Sequence, residues 1–339
     1  MLVYDELLFF HRNKMIYRQF FGYIILKFQE VLFMSQENSK KPASAEKGKS
    51  AKGKIAAAIS IVVILAVVGV LAFIFTRPDS PEDYKYSLTI TDATISGLEN
   101  KNLESLRIPD DIDGVPVTII SANAFEKCTA ITSVKLPKNL KKIGNSAFTG
   151  CVSLTSVSMD DSVETIGTGA FSGCSNLSKI NLSDSIKSIG GYTFSNCKEL
   201  KKITIPESVT SINERTFYQC TNLTSVDIPN QVASIDSAAF YECESLKKIT
   251  IPNYVTKISG SSFYGCKSLS KVDIPKSVTV IDSYAFANCS GLTRVNIPET
   301  VHTIQGFAFD GCPDLTIYGV KGSTAEKYAR EHKISFKEL

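Results

Sequence analysis

Leu223 to Cys243 reads LTSVDIPNQVASIDSAAFYEC. Leu223, Val226 and Ile228 form an L-x-x-V-x-I block whose last two members alternate, the pattern of a short strand that turns those side chains inward. Pro229 lacks a backbone donor and closes the strand at a position where proline is tolerated. Val232 and Ile235 return to the interior, and Ala239, Phe240 and Cys243 seal the coil, while Ser, Thr, Asp and Asn dominate the positions between. A unit with one apolar side cannot bury it alone, so its fold depends on neighbours of the same kind.

Those neighbours are present. The nine cysteines, Cys128, Cys151, Cys174, Cys197, Cys220, Cys243, Cys266, Cys289 and Cys312, recur every 23 residues. Three residues before them stand Phe125, Phe148, Phe171, Phe194, Phe217, Phe240, Phe263, Phe286 and Phe309, and five before each Phe stands an Ile, from Ile120 to Ile304. The period predicts a parallel β solenoid of about nine 23-residue rungs, each about 4.8 Å above the last. The Phe and Cys columns are its structural ladder.

The string L-x-x-V-x-I-P-x-x-V-x-x-I-x-x-x-A-F-x-x-C resembles the BspA-like leucine-rich repeats of bacterial surface proteins. The resemblance spans residues 86–339 and implies a solenoid of leucine-rich-repeat type. Departures are mild: Met159-Asp160 and Leu182-Ser183 stand in place of Ile-Pro, and Thr193, Thr216 and Ser262 in place of the Ala before Phe. Both ends read as caps. Strand-like SLTIT and ATISG pieces precede a first rung with five extra residues between its Pro and Phe. At the other end, Ser323-Thr324-Ala325-Glu326 is a capping-box pattern that opens a helix from Thr324 to about His332, followed by the strand ISFKEL.

The N-terminal part reads differently. Residues 1–78 hold 11 Lys/Arg and 5 Asp/Glu, a net charge of +6, against 26 and 29, a net of −3, over 79–339. Ile55 to Phe75 is a run of 21 residues without a charge, about 31 Å as a helix, so residues 55–76 are expected to form a single transmembrane helix. The run is longer than the apolar part of a secretory signal and ends Phe73-Ile74-Phe75-Thr76-Arg77, without the small residues a signal peptidase needs. Lys40, Lys41, Lys47, Lys49, Lys52 and Lys54 precede the span and only Arg77 and Lys85 follow closely, which places the N-terminus in the cytoplasm and the repeats outside. Residues 34–54 read as a disordered basic tail, 77–85 as a linker and 86–339 as the ectodomain. Residues 1–33, aromatic yet broken by charges, read either as an amphipathic helix or as an extension upstream of a start at Met34.

Chemistry has few footholds. With three His and no Trp, acid–base catalysis near neutral pH is poorly supplied. A uniform cysteine spacing of 23 offers no C-x2-C pair for a metal, and an odd count in one column cannot all pair as disulfides, so the thiols are read as structural, with bridges between a few neighbouring rungs left open. Gly167 to Gly173, GTGAFSG, has the wrong spacing for a dinucleotide loop, and His302 has no nucleophile or carboxylate recurring around it. Neither G-x-S-x-G nor H-E-x-x-H occurs. The reading is of a non-enzyme without cofactor, metal or nucleic-acid partner.

What remains is the surface, where residues 23 apart form columns. Tyr218, Tyr241 and Tyr264 follow consecutive Phe residues and make a candidate platform for a sugar ring or an apolar patch of a partner. Lys179, Lys202, Lys248, Lys271 and Arg294 precede the strand's inward residue, with Ser225 interrupting and Lys201 and Lys247 beside them, a stripe suited to acidic glycans or an acidic protein face. The expected protein is a plasma-membrane-anchored surface protein whose repeats bind an extracellular protein or glycan; the resemblance implies adhesion. The alternative is an envelope scaffold or regulatory protein that binds cell-wall glycan or a membrane partner.

Overall fold

The computed structural model describes residues 78–339. The expected transmembrane span 55–76, the tail 34–54 and the segment 1–33 lie outside the described residues. Among the described residues no helix is long and apolar enough to cross a membrane.

From residue 93 onward the chain coils as a parallel solenoid of about 11 turns, the nine ladder rungs with a turn added at each end. All but one of the ladder rungs contribute a strand to each of two columns. The first column runs from Ser105–Arg107 through Ser133–Lys135, Ser156–Ser158 and so on to Arg294–Asn296 and Thr316–Gly319. The second runs from Ala93–Leu98 and Val115–Ile120 through Lys142–Ile143 to Thr303–Ile304. Register follows the repeat, as in Ile203 opposite Val226 and Ile212 opposite Ile235. It shortens by one residue at the last turn, where Val295 faces Ile317.

The strands are shorter than the L-x-x-V-x-I block suggests. In the L-x-x-V-x-I block of the quoted unit only Ser225–Asp227 is a strand, and Ile228 is half-buried where the turn at Pro229 begins. Leu246 to Ile251 forms no strand at all, although Ile249 and Ile251 stay buried. Neighbouring rungs are nonetheless bonded outside the strands, because the loops pair too: the amide of Phe217 donates to Ala239 O at 2.8 Å and that of Gln219 to Tyr241 O at 2.7 Å. Hydrogen bonding between rungs therefore does not depend on extended geometry.

The core is the ladder. All nine Phe rings are buried and stack face to face, with centroids 4.9 to 5.8 Å apart and planes within 21°. An aromatic stack ends in an open ring face, and here each end is closed by a Tyr set edge-on. Tyr84 meets Phe125 at 6.4 Å and 85°, and Tyr328 meets Phe309 at 5.9 Å and 71°.

The caps supply those two tyrosines. Tyr84–Leu88 pairs antiparallel with Ala93–Leu98, and the 3-10 turn Pro81–Asp83 ahead of it takes in residues expected to be linker. Tyr84 is buried with its hydroxyl bonded to Asp79, whose carboxylate also accepts the Arg107 amide at 2.8 Å. The extra residues of the first rung form a small hairpin, Asp111–Ile112 against Val115–Pro116, turning through Asp113 and Gly114 at φ 53° and 78°. At the far end, helix α1 (Thr324–Glu331) starts at Ser323, whose hydroxyl accepts the Glu326 amide. The strand Ser335–Glu338 then pairs parallel with Thr316–Gly319.

The cysteines do more than fill space. From Cys151 to Cys312, each thiol donates to the carbonyl of the Phe 26 residues earlier, at 3.0 to 3.3 Å. No ladder Phe stands 26 residues before Cys128, which is half-buried. Burial pushes the Cys151, Cys220 and Cys312 thiols up to about 12 and raises Cys174, Cys197, Cys243 and Cys266 as well. A hydrogen bond with Cys266, then burial, raises Cys289. All nine are free thiols, and the eight in the core are held protonated near neutral pH.

Candidate binding surface

Tyr218, Tyr241 and Tyr264 come together as the column arithmetic predicts. Their rings stack at 4.8 Å and 11°, then 4.6 Å and 5°, half-buried along the loop edge of the solenoid. In three earlier rungs the same position holds Thr149, Ser172 and Ser195, so the fold does not require an aromatic ring there. The stack alters what the edge can do. Ring faces inside the column cover one another, so a sugar has no interior face to lie on, and the expected platform becomes a row of ring edges and hydroxyls. Tyr264 Oη accepts Asn288 Nδ2 at 2.6 Å, and burial with the nearby Glu242 charge raises the Tyr241 hydroxyl.

The edge extends beyond the three tyrosines. Arg215 lies with its guanidinium 5.3 Å from the Tyr192 ring and 6.0 Å from that of Tyr218, bonded to the Tyr192 hydroxyl and paired with Glu214 at 2.8 Å. Further along, Tyr284 and Phe307 stack at 5.4 Å and 9° while remaining 43% and 54% exposed. Both sit two residues before a ladder Phe, at φ 60° and 62°, in a left-handed turn where another rung uses Gly169. A bulky residue held there costs about 1 kcal/mol, so the exposed pair is kept at some expense. The sequence signal for this pair is the 23-residue offset from Tyr284 to Phe307, in the column two residues before each Phe and not in the one after it.

The basic stripe lies on the outer face of the first strand column. Lys179, Lys202, Lys248 and Lys271 are exposed, as are Lys201 and Lys247 beside them. Lys271 pairs with Asp273 at 3.0 Å and stands in register with Arg294 on the next strand. Arg294 is set apart: its guanidinium lies 4.0 Å from the centroid of Tyr318, which covers it. A cleft of about 440 Å³ at the N-terminal cap is lined by Lys85, Lys101, Glu126, Lys127 and Cys128 among others.

Stacked 23-residue turns with an apolar ladder, one strand column of V-x-I type and caps at both ends define a leucine-rich-repeat solenoid. The chain belongs to the BspA type leucine rich repeat region family, whose model matches residues 95–224 and 210–327 in six copies. Proteins of this family are cell-surface proteins that bind proteins or glycans. Among solved structures, a leucine-rich-repeat protein from Bacteroides ovatus is 22% identical over 78% of this chain and 100% of its own, with a TM-score of 0.50. A leucine rich cell surface protein from Faecalibacterium prausnitzii is 26% identical over 75% of this chain and 97% of its own, with a TM-score of 0.47. No curated protein matches the chain.

Proposed function

We propose that the chain is a single-pass, membrane-anchored surface protein whose repeat domain faces outward and adheres to an extracellular protein through the tyrosine edge. The anchor and its orientation rest on the charge-free run at 55–76 and the lysines that precede it. The adhesive role rests on the Tyr218–Tyr241–Tyr264 stack, a run of rigid aromatic groups at a position that no other rung fills with an aromatic residue. Tyrosines already locked by stacking lose little side-chain freedom on binding and offer both apolar edges and hydroxyls, the combination enriched in protein-interface hot spots.

The test is binding of the full chain, in neutral detergent, to immobilised host matrix proteins and to isolated cell-wall glycan, beside a Tyr218→Ala, Tyr241→Ala, Tyr264→Ala triple variant. Saturable matrix binding that the variant loses is the expected result. Binding to wall glycan alone overturns the adhesive reading and leaves an envelope scaffold.

A further inference from the structure

We propose that the outer face of the first strand column is a second binding site, separate from the tyrosine edge, that takes a linear polysaccharide bearing carboxylates, a polyuronate. The residues are Lys179, Lys201, Lys202, Lys247, Lys248 and Lys271.

The first observation is local charge. Residues 79–339 carry slightly more acid than base, yet on this face the acidic groups interleaved with those lysines are Asp227 and Asp273. Elsewhere several lysines are neutralised across rungs: Lys141 and Lys187 share Glu164, Lys257 pairs with Asp282, and Lys267 with Glu244. On this face Lys271 alone has a carboxylate partner, and Lys179, Lys201, Lys202, Lys247 and Lys248 have none among the described residues. Like charges on adjacent rungs repel at strand spacing. An anionic chain lying across them relieves that repulsion and gains attraction.

The second observation is spacing. Lys201-Lys202 and Lys247-Lys248 are doublets two rungs apart, about 10 Å at strand spacing, with the neutral Thr224-Ser225 pair between them. The direct match is a polymer whose acidic groups recur along a rod, separated by neutral hydroxyl-bearing stretches. Thr204 and Thr250 stand exposed on the same face, and Asp227 is an acceptor for sugar hydroxyls but repels a dense run of phosphates. Nucleic acid is disfavoured for a further reason: the ring on this face, Tyr318, is covered by Arg294 and is not open to stack a base.

The experiment uses the full chain in neutral detergent, at about 0.15 M salt, on immobilised polygalacturonate, on its fully methyl-esterified form and on duplex DNA. Variants are Lys201→Gln, Lys202→Gln, Lys247→Gln and Lys248→Gln combined, a Lys276→Gln, Lys327→Gln control at exposed positions elsewhere, and the triple Tyr variant. The proposal expects retention on polygalacturonate, none on the ester, weakening by about tenfold or more in the quadruple variant, and no change in the control or the Tyr variant. Four exposed Lys→Gln changes leave the ladder intact, and an unchanged urea midpoint verifies folding; salt dependence of wild-type binding reads the same contact without any substitution. Absence of retention, equal binding to the ester, an unaffected quadruple variant, or DNA bound as tightly as polygalacturonate each overturns it.

Discussion

Raising the pH should dismantle the solenoid through its cysteine column, and the size of the effect follows from burial. An unfolded thiol titrates near 9.0, whereas the eight buried from Cys151 to Cys312 are all raised, Cys151, Cys220 and Cys312 to about 12. A group whose pKa is raised on folding contributes its full stability below the unfolded value and loses it as pH climbs from there to the folded value. Little changes below pH 8, and from there to pH 12 the unfolded state gains, by about 0.4 kcal/mol per thiol already at pH 9. At pH 10 Cys151, Cys220 and Cys312 each favour unfolding by about 1.4 kcal/mol, about 4 kcal/mol together, and the other raised thiols add in the same direction, a large part of the stability of an ordinary domain. Tyr84, raised by burial and by its bond to Asp79, adds to the loss above pH 10. The assay is the urea midpoint by circular dichroism at pH 8, 9, 10 and 10.5 under a non-thiol reductant. The midpoint should hold to pH 8, fall measurably by pH 9 and collapse near pH 10. A Cys197→Ala, Cys220→Ala, Cys243→Ala variant, whatever it costs at neutral pH, should lose stability with a slope about three-eighths shallower. A wild-type midpoint that is flat to pH 10.5 would refute the thiol ladder.

Two further substitutions probe the ladder. Phe217 lies between Phe194 at 5.6 Å and Phe240 at 5.3 Å, so Phe217→Ala should cost about 3–5 kcal/mol and Phe217→Leu much less, with the Ala variant unfolding in two steps as the halves uncouple; chemical denaturation reads both. Ser262 Oγ is buried without a hydrogen-bond partner at a position where six rungs carry Ala, so Ser262→Ala should stabilise by about 1 kcal/mol, seen as a raised thermal midpoint.

The repeat was legible because its period is unbroken: Phe and Cys at fixed offsets specify which residues stack, and parallel register follows from a 23-residue turn. What could not be read was geometry that depends on neighbours. The thiols look like small apolar fillers in one rung, and only a second rung shows that each donates to a Phe carbonyl. The tyrosine column was visible, but that its faces close on one another depends on the rung rise being near the thickness of a stacked ring. The edge-on Tyr84 and Tyr328 lie outside the repeat, so no period marked them. Ser183 breaks the proline rule yet keeps the turn, because its buried hydroxyl donates to Val163 O at 3.1 Å and accepts the Ser185 amide at 3.2 Å. Tolerance of that kind is set by backbone partners that the residue alphabet does not reveal.

The account turns on a repeat domain displayed outside the cell. The direct measurement is labelling of intact cells with a membrane-impermeant amine reagent, followed by mapping of the modified lysines. The account predicts labelling at Lys201, Lys202, Lys247 and Lys248 before lysis, with a cytoplasmic marker untouched. Modification of those lysines only after lysis would contradict it.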